Sequence, residues 1–160
     1  KLHVRGFTAH ASSGVSARGT YAGVVEKIPY LKDLGITAVE LMPVTEFDEI
    51  MMSASGNGFH DAKPEPTGYL NYWGYGPSYL YAVKSAYASH GEMSAECEFK
   101  TLVKELHRAG IECIPEIYFT GKELPGEILS VLRYWAEEYH VDAFTCQDSR
   151  ISPWLRRTRS

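Results

Sequence analysis

Apolar positions follow two rhythms along this chain, and the switch between them sets out its elements. Leu2 and Val4 alternate with polar neighbours, so Lys1–Phe7, closing at Gly6, is expected to be a short strand. Ala9–Arg18 is rich in Ser, Gly and Ala and reads as a loop; Gly19-Thr20 then offers a helix N-cap. Tyr21, Val24, Val25, Ile28, Leu31 and Leu34 fall at steps of three and four, which is one face of a helix. Pro29 should kink that helix and Gly35 should stop it. Ile36–Val44 is nearly continuous in apolar residues up to Pro43, as in a parallel strand buried on both faces.

From Thr45 to Gly91 the rhythm disappears, and a long loop crowded with Gly, Pro, Tyr and Trp is expected. So many aromatic rings argue against simple disorder. Ser94 caps a second helix, with Glu96 and Glu98 at its positive end and Phe99, Leu102, Val103 and Leu106 on one face. His107-Arg108-Ala109-Gly110 ends it. Ile111–Phe119 reads as a third strand despite Pro115, which should cost it one ladder hydrogen bond. A turn over Thr120–Pro125 leads to a helix with Ile128, Leu129, Leu132 and Trp135 on one face, and Val141–Cys146 is the fourth strand. Such alternation predicts βαβ units in an α/β fold with a parallel sheet. Four strands are half of a (β/α)8 TIM barrel, with two open edges and an uncovered interior, so the piece should need more chain or a partner.

With 160 residues, 44% of them hydrophobic, one domain over 1–160 with a sizeable core is expected. The opening at Lys1, without Met and inside a motif, leads to the expectation of a fragment, an incomplete domain. A formal charge of −4 leaves no footprint for nucleic acid. Arg150, Arg156, Arg157 and Arg159 crowd the end, where 150–160 reads as a solvated or disordered tail. Cys97, Cys113 and Cys146 form no C-x-x-C pair, which favours a reducing compartment and three small buried hydrophobes over disulfides or zinc. His3, His10, His60, His90, His107 and His140 show no ligand spacing, so no metal is expected. No apolar run is long enough to span a membrane.

Several motifs together resemble the isoamylase-type starch-debranching branch of the α-amylase superfamily (glycoside hydrolase family 13). They are Leu2–Thr8, Gly19–Gly23, Glu26–Leu31, Val39–Val44, Asn71-Tyr72-Trp73-Gly74-Tyr75, Glu98–Lys100, Ala109–Glu112 and Val141–Gln147. Each alone is weak; their order and spacing are specific. The resemblance implies a barrel that acts on α-glucans by retaining double displacement, with an Asp nucleophile, a Glu acid/base, a second Asp and no metal or organic cofactor. The family's fourth strand reads Val-Asp-Gly-Phe-Arg-Phe-Asp, and its last Asp attacks the anomeric carbon. Here Gln147 stands at that Asp and Thr145 at the Arg that keeps it ionised. A neutral amide cannot displace a glycosidic oxygen as a carboxylate does. The third strand, Asp-Val-Val-Tyr-Asn-His in the family, becomes Glu116–Gly121, so Asp is replaced by Glu116 and His by Gly121. The long loop that follows in the family is cut to Thr120–Gly126. The remaining carboxylates of the family would lie past Ser160.

Tyr75 matches the family's stacking tyrosine, flanked by Trp73 and Tyr72, and such rings suit the C–H face of a pyranose. The plain alternative is that they pack the loop onto the barrel. Glu116 could accept sugar hydroxyls or be an ordinary strand-end carboxylate. Asp148 is the one candidate for a displaced nucleophile, and strand alternation aims it at the opposite face. These residues imply a non-catalytic isoamylase-like subunit that binds α-glucan (amylopectin, glycogen or limit dextrin). By the same resemblance it would assemble with an active isoamylase subunit in plastids during starch synthesis. An active α-1,6-glucan debranching hydrolase is the rival, and a truncated product without function the third reading.

Overall fold

The computed structural model describes residues 1–52, 66–89 and 93–147. The tail at 150–160, Asp148, His60 and His90 lie outside the described residues.

Order along the chain is α1 (Val4–Thr8), α2 (Tyr21–Glu26), α3 (Ile28–Asp33), β1 (Ala38–Leu41), β2 (Thr45–Phe47), β3 (Ile50–Met52), β4 (Pro66–Leu70), β5 (Ser78–Val83), α4 (Ala95–Arg108), β6 (Glu112–Tyr118), α5 (Pro125–Tyr139) and β7 (Thr145–Gln147). The main sheet is parallel, ordered β1–β6–β7, with Leu2 bridged in parallel to Leu41 on the outer edge of β1. Leu2 and the three strands therefore follow one another across the sheet in chain order, as in part of a barrel. Among the described residues the sheet does not close.

The core lies between the outward face of this sheet and the helices. Val39, Leu41, Cys113, Ile117 and Phe119 are buried there against Phe99, Leu102, Val103 and Leu106 of α4 and Tyr21 and Val24 of α2. Each large side chain so buried stabilises the fold by roughly 1.5–3 kcal/mol. Phe99 stands edge-on to Tyr21 (5.4 Å), Trp135 (5.5 Å) and Tyr139 (5.2 Å), which joins three helices through one ring. Trp135 meets its one polar need by donating to the Leu80 carbonyl at 2.7 Å.

Several expectations are met for the reasons given. Thr20 caps α2 through Gly23 N–H, the helix breaks at Lys27 before Pro29, and Gly35 takes φ 75 after α3. Ser94 caps α4 by accepting from Cys97 N–H. Pro115 stands opposite Leu41 within the central strand without ending it, though it has no N–H for the ladder.

Other expectations are corrected. Only Leu2 of Lys1–Phe7 pairs with the sheet; Val4–Thr8 is helical. The His3 side chain caps that turn by accepting from Gly6 N–H, and Val4 and Thr8, four residues apart, are both buried. Leu34 is exposed because the break at Lys27 changes the phase of the face, and Leu129 is exposed because α5 buries Val131, Trp135 and Tyr139 instead. The stretch from Thr45 to Gly91 is not a plain loop: β2 pairs antiparallel with β5, and β3 with β4. These strands are three to six residues long and their partners are distant, so no local alternation announces them. Strand four is shorter than Val141–Cys146: Asp142 precedes β7 and ties it to β6 by accepting from Cys113 N–H at 2.8 Å.

Candidate functional site

The parallel register puts one set of side chains on the inward face of the sheet. Glu40 pairs with Ile114, Glu116 with Thr145, and Tyr118 with Gln147. The alternate residues Val39, Leu41, Cys113 and Ile117 point to the helices, as the strand period requires. Glu116, Thr145 and Gln147 thus share the inward face, toward the C-terminal ends of the strands. In a parallel α/β sheet that end is where ligands bind.

Glu116 is fully buried, yet its carboxylate is not alone. It accepts from the Tyr75 hydroxyl at 3.1 and 3.3 Å and forms an ion pair with Lys1 Nζ at 2.9 Å. Lys1 also meets Glu40 at 3.0 Å, so one ammonium joins two carboxylates across Leu2, β1 and β6. Burial works against the charged Lys1, but its hydrogen bonds and the charges of Glu116 and Glu40 outweigh this and raise its pKa. Burial and the Glu116 charge likewise raise the Tyr75 phenol above its ordinary value, so it stays a donor. The sequence reading missed Lys1 and Glu40. A polar Glu40 within the apolar run Val39–Val44 was the available signal.

Tyr75 is brought here by a turn that the local sequence dictates. Asn71 accepts from Gly74 N–H at 3.0 Å and donates to the Tyr75 carbonyl at 3.1 Å. Gly74 takes φ +80, and a Cβ there would lie 2.7 Å from a Phe47 ring carbon and 2.9 Å from Pro43 Cβ, so only glycine fits. The Tyr75 ring meets Tyr118 edge-on at 5.8 Å and is 38% exposed, so part of the ring remains open.

Tyr72 and Trp73 serve differently. Tyr72 stacks on His3 with centroids 4.4 Å apart and planes 10° from parallel, and Trp73 stands edge-on to both. Because His3 Nδ1 accepts from Gly6 N–H, Nε2 carries the proton and donates to the Tyr72 carbonyl at 2.8 Å. Tyr72 is thereby held to α1, while Trp73 keeps over half its surface in solvent.

The remaining positions form no nucleophilic pair among the described residues. Gln147 is exposed, and its backbone carbonyl accepts from Phe119 N–H at 3.0 Å. Gly121 takes φ 84 in a turn where a histidine would be strained, and its N–H donates to Glu123 at 3.0 Å. Glu123 also accepts from the N–H groups of Thr120 and Lys122 and from the Thr120 hydroxyl. No three His, Cys, Asp or Glu side chains gather as metal ligands among the described residues, and no helix there is long and apolar enough to cross a membrane.

An inward-facing, C-terminal cluster on consecutive parallel strands is the arrangement of part of a (β/α)8 barrel with its site end, and sequence comparison supplies the family. Residues 4–119 match the alpha-amylase catalytic domain, and the chain belongs to that family. It is 34% identical to "Isoamylase 3, chloroplastic" of Oryza sativa over 199 aligned positions, covering 90% of this chain and 24% of that protein. It is 40% identical to the "Glycogen operon protein GlgX homolog" of Haemophilus influenzae, covering 74% of this chain and 16% of that protein. A pullulanase from Paenibacillus barengoltzii, solved with maltohexaose and alpha-cyclodextrin, shares the fold at a TM-score of 0.67 and 19% identity, over 91% of this chain and 29% of its own. The chain thus spans less than a third of the length of these relatives.

Proposed function

We propose that this chain is a non-catalytic, α-glucan-binding member of its family, acting in starch or glycogen metabolism beside an active isoamylase subunit. The observation that carries this reading is the state of the inward face. Its buried carboxylate, Glu116, is committed to Lys1 and Tyr75, while the positions beside it are Thr145 and Gln147. Double displacement needs a carboxylate free to attack and an acid to protonate the leaving oxygen. Thr145 and Gln147 supply neither, and Glu116 has its negative charge balanced by an ammonium.

Recognition is the role left to such a face. The open part of the Tyr75 ring suits a pyranose C–H face, and Gln147 can both donate to and accept from sugar hydroxyls. Trp73 adds exposed aromatic surface nearby. The relatives include plant proteins named chloroplastic isoamylases, which supports a plastid location.

The test is calorimetric titration of the chain with maltoheptaose and a branched limit dextrin, followed by a reducing-end assay on the same samples. Binding without new reducing ends is the expected result, and Tyr75→Ala should weaken it. New reducing ends that vanish in Asp148→Asn would establish an active debranching enzyme instead.

A further inference from the structure

Between the C-terminal halves of α4 and α5 lies a groove of about 750 Å³, with the largely buried Val103 and Tyr139 at its floor. Both helices end there beside the N-terminal ends of β6 and β7, whereas Glu116 and Gln147 lie toward the opposite ends of those strands. The groove is therefore remote from the face on which glucan binding is proposed.

Its walls are cationic, in a chain whose formal charge is −4. Lys100, Lys104 and Arg108 line it from one side of α4, four residues apart, a stacking of like charges that costs a helix about 0.2–0.5 kcal/mol per pair. Lys100 is met by Glu96 and Glu138, His107 by Asp142 and Arg108 by Glu105. Lys104 is exposed and has neither an ion pair nor a hydrogen bond among the described residues. His107 and Arg108, in the last turn, also answer the negative end of the helix dipole, but that effect fades within a turn and leaves Lys104 unexplained.

A second observation comes from the end of α5. After α4 the chain turns on Gly110 at φ 75, whereas α5 ends on His140 at φ 56, the one non-glycine residue with a positive φ among the described residues. That conformation costs a residue with a side chain roughly 1–2 kcal/mol. Here it sets an exposed imidazole on the groove wall, where glycine would supply nothing.

We propose that this groove binds a phosphate monoester of a small organic molecule, a nucleotide or a sugar phosphate. Lys104, Arg108 and His140 hold the phosphate, and the organic body lies over Val103 and Tyr139. Lys104 supplies an uncommitted ammonium, and Arg108 gives one of its two terminal nitrogens to Glu105 while the rest of its donor fork is left for a phosphate oxygen. The volume falls in the range of small-molecule sites, about 300–1,000 Å³, and exceeds what a bare phosphate needs. An apolar floor under a charged rim suits a ligand with one end of each kind. The site does not depend on the glucan-binding reading.

Amide NMR during separate titrations with adenosine 5′-monophosphate, glucose 6-phosphate and inorganic phosphate tests this. The expected result is that at least one ester moves the signals of residues 103–108 and His140 and binds about tenfold or more tightly than inorganic phosphate. Which ester does so tells a nucleotide from a sugar phosphate. Lys104→Ala, an exposed change to a better helix former, should weaken that ester about three- to tenfold. His140→Gly should weaken it similarly while the Tm stays level or rises, because glycine relieves the backbone. A lower Tm with unchanged affinity would make His140 structural and overturn its role. No movement with either ester, inorganic phosphate binding as tightly as both, or binding indifferent to Lys104→Ala would overturn the site.

Discussion

The two faces of the parallel sheet are built from opposite materials. Outward, Val39, Leu41, Cys113 and Ile117 are buried in one apolar core with Phe99, Leu102 and Tyr21. Inward, the sheet carries Glu40 and Glu116, joined by Lys1, with Glu116 also bonded to Tyr75, and beside them Thr145 and Gln147 of β7. Burial drives the first face and charge pairing holds the second. The family's scaffold is therefore present on the helix side, while on the reading proposed above the residues that perform its chemistry are replaced on the other side. Fold and chemistry can vary separately on such a sheet because its two faces depend on different side chains of the same strands.

That contrast can be broken most severely from the outward side. Trp135→Ala should cost about 3–5 kcal/mol, through lost burial, the cavity left behind and the orphaned Leu80 carbonyl. Urea unfolding measures it; a loss below about 1 kcal/mol would mean that the aromatic layer of α4 and α5 is not the core described.

Lys1→Met probes the inward side and should cost less, about 1–3 kcal/mol, because it strands the buried Glu116 charge while Glu40 is partly solvated. Glu116→Gln added to Lys1→Met should restore most of that loss, since no buried charge is then left unpaired. A double variant as unstable as the single one would show that the pair does not act as a unit.

The smallest effect comes from His3, at the seam between α1 and the aromatic turn. Burial, helped by the Arg5 charge and opposed by the hydrogen bond to Tyr72, lowers its pKa below 6.5. The neutral ring is favoured in the fold, so its contribution is complete above 6.5 and declines as pH falls below that value through the lowered pKa. The Tm should drop by a few degrees at most between pH 7 and 5, and less in His3→Gln. The carboxylates Glu46, Glu49 and Asp142, lowered by their hydrogen bonds and neighbouring cations despite burial, release their contribution only at more acidic pH.

From the sequence alone came the alternation of strand and helix, the caps at Thr20 and Ser94, the break before Pro29, and the motifs that match the alpha-amylase family. All of these rest on contacts within a few residues or on matching one position at a time, which a linear string displays. Tertiary structure alone decided that Val4–Thr8 is helical, that the stretch after Thr45 forms antiparallel pairs, and that α5 turns Leu129 outward. It also decided that Lys1 reaches Glu116, 115 positions away, and that Tyr72 packs on His3 while Tyr75 stays open. Pairings of that kind depend on side chains meeting across the fold, and no period along the chain encodes them.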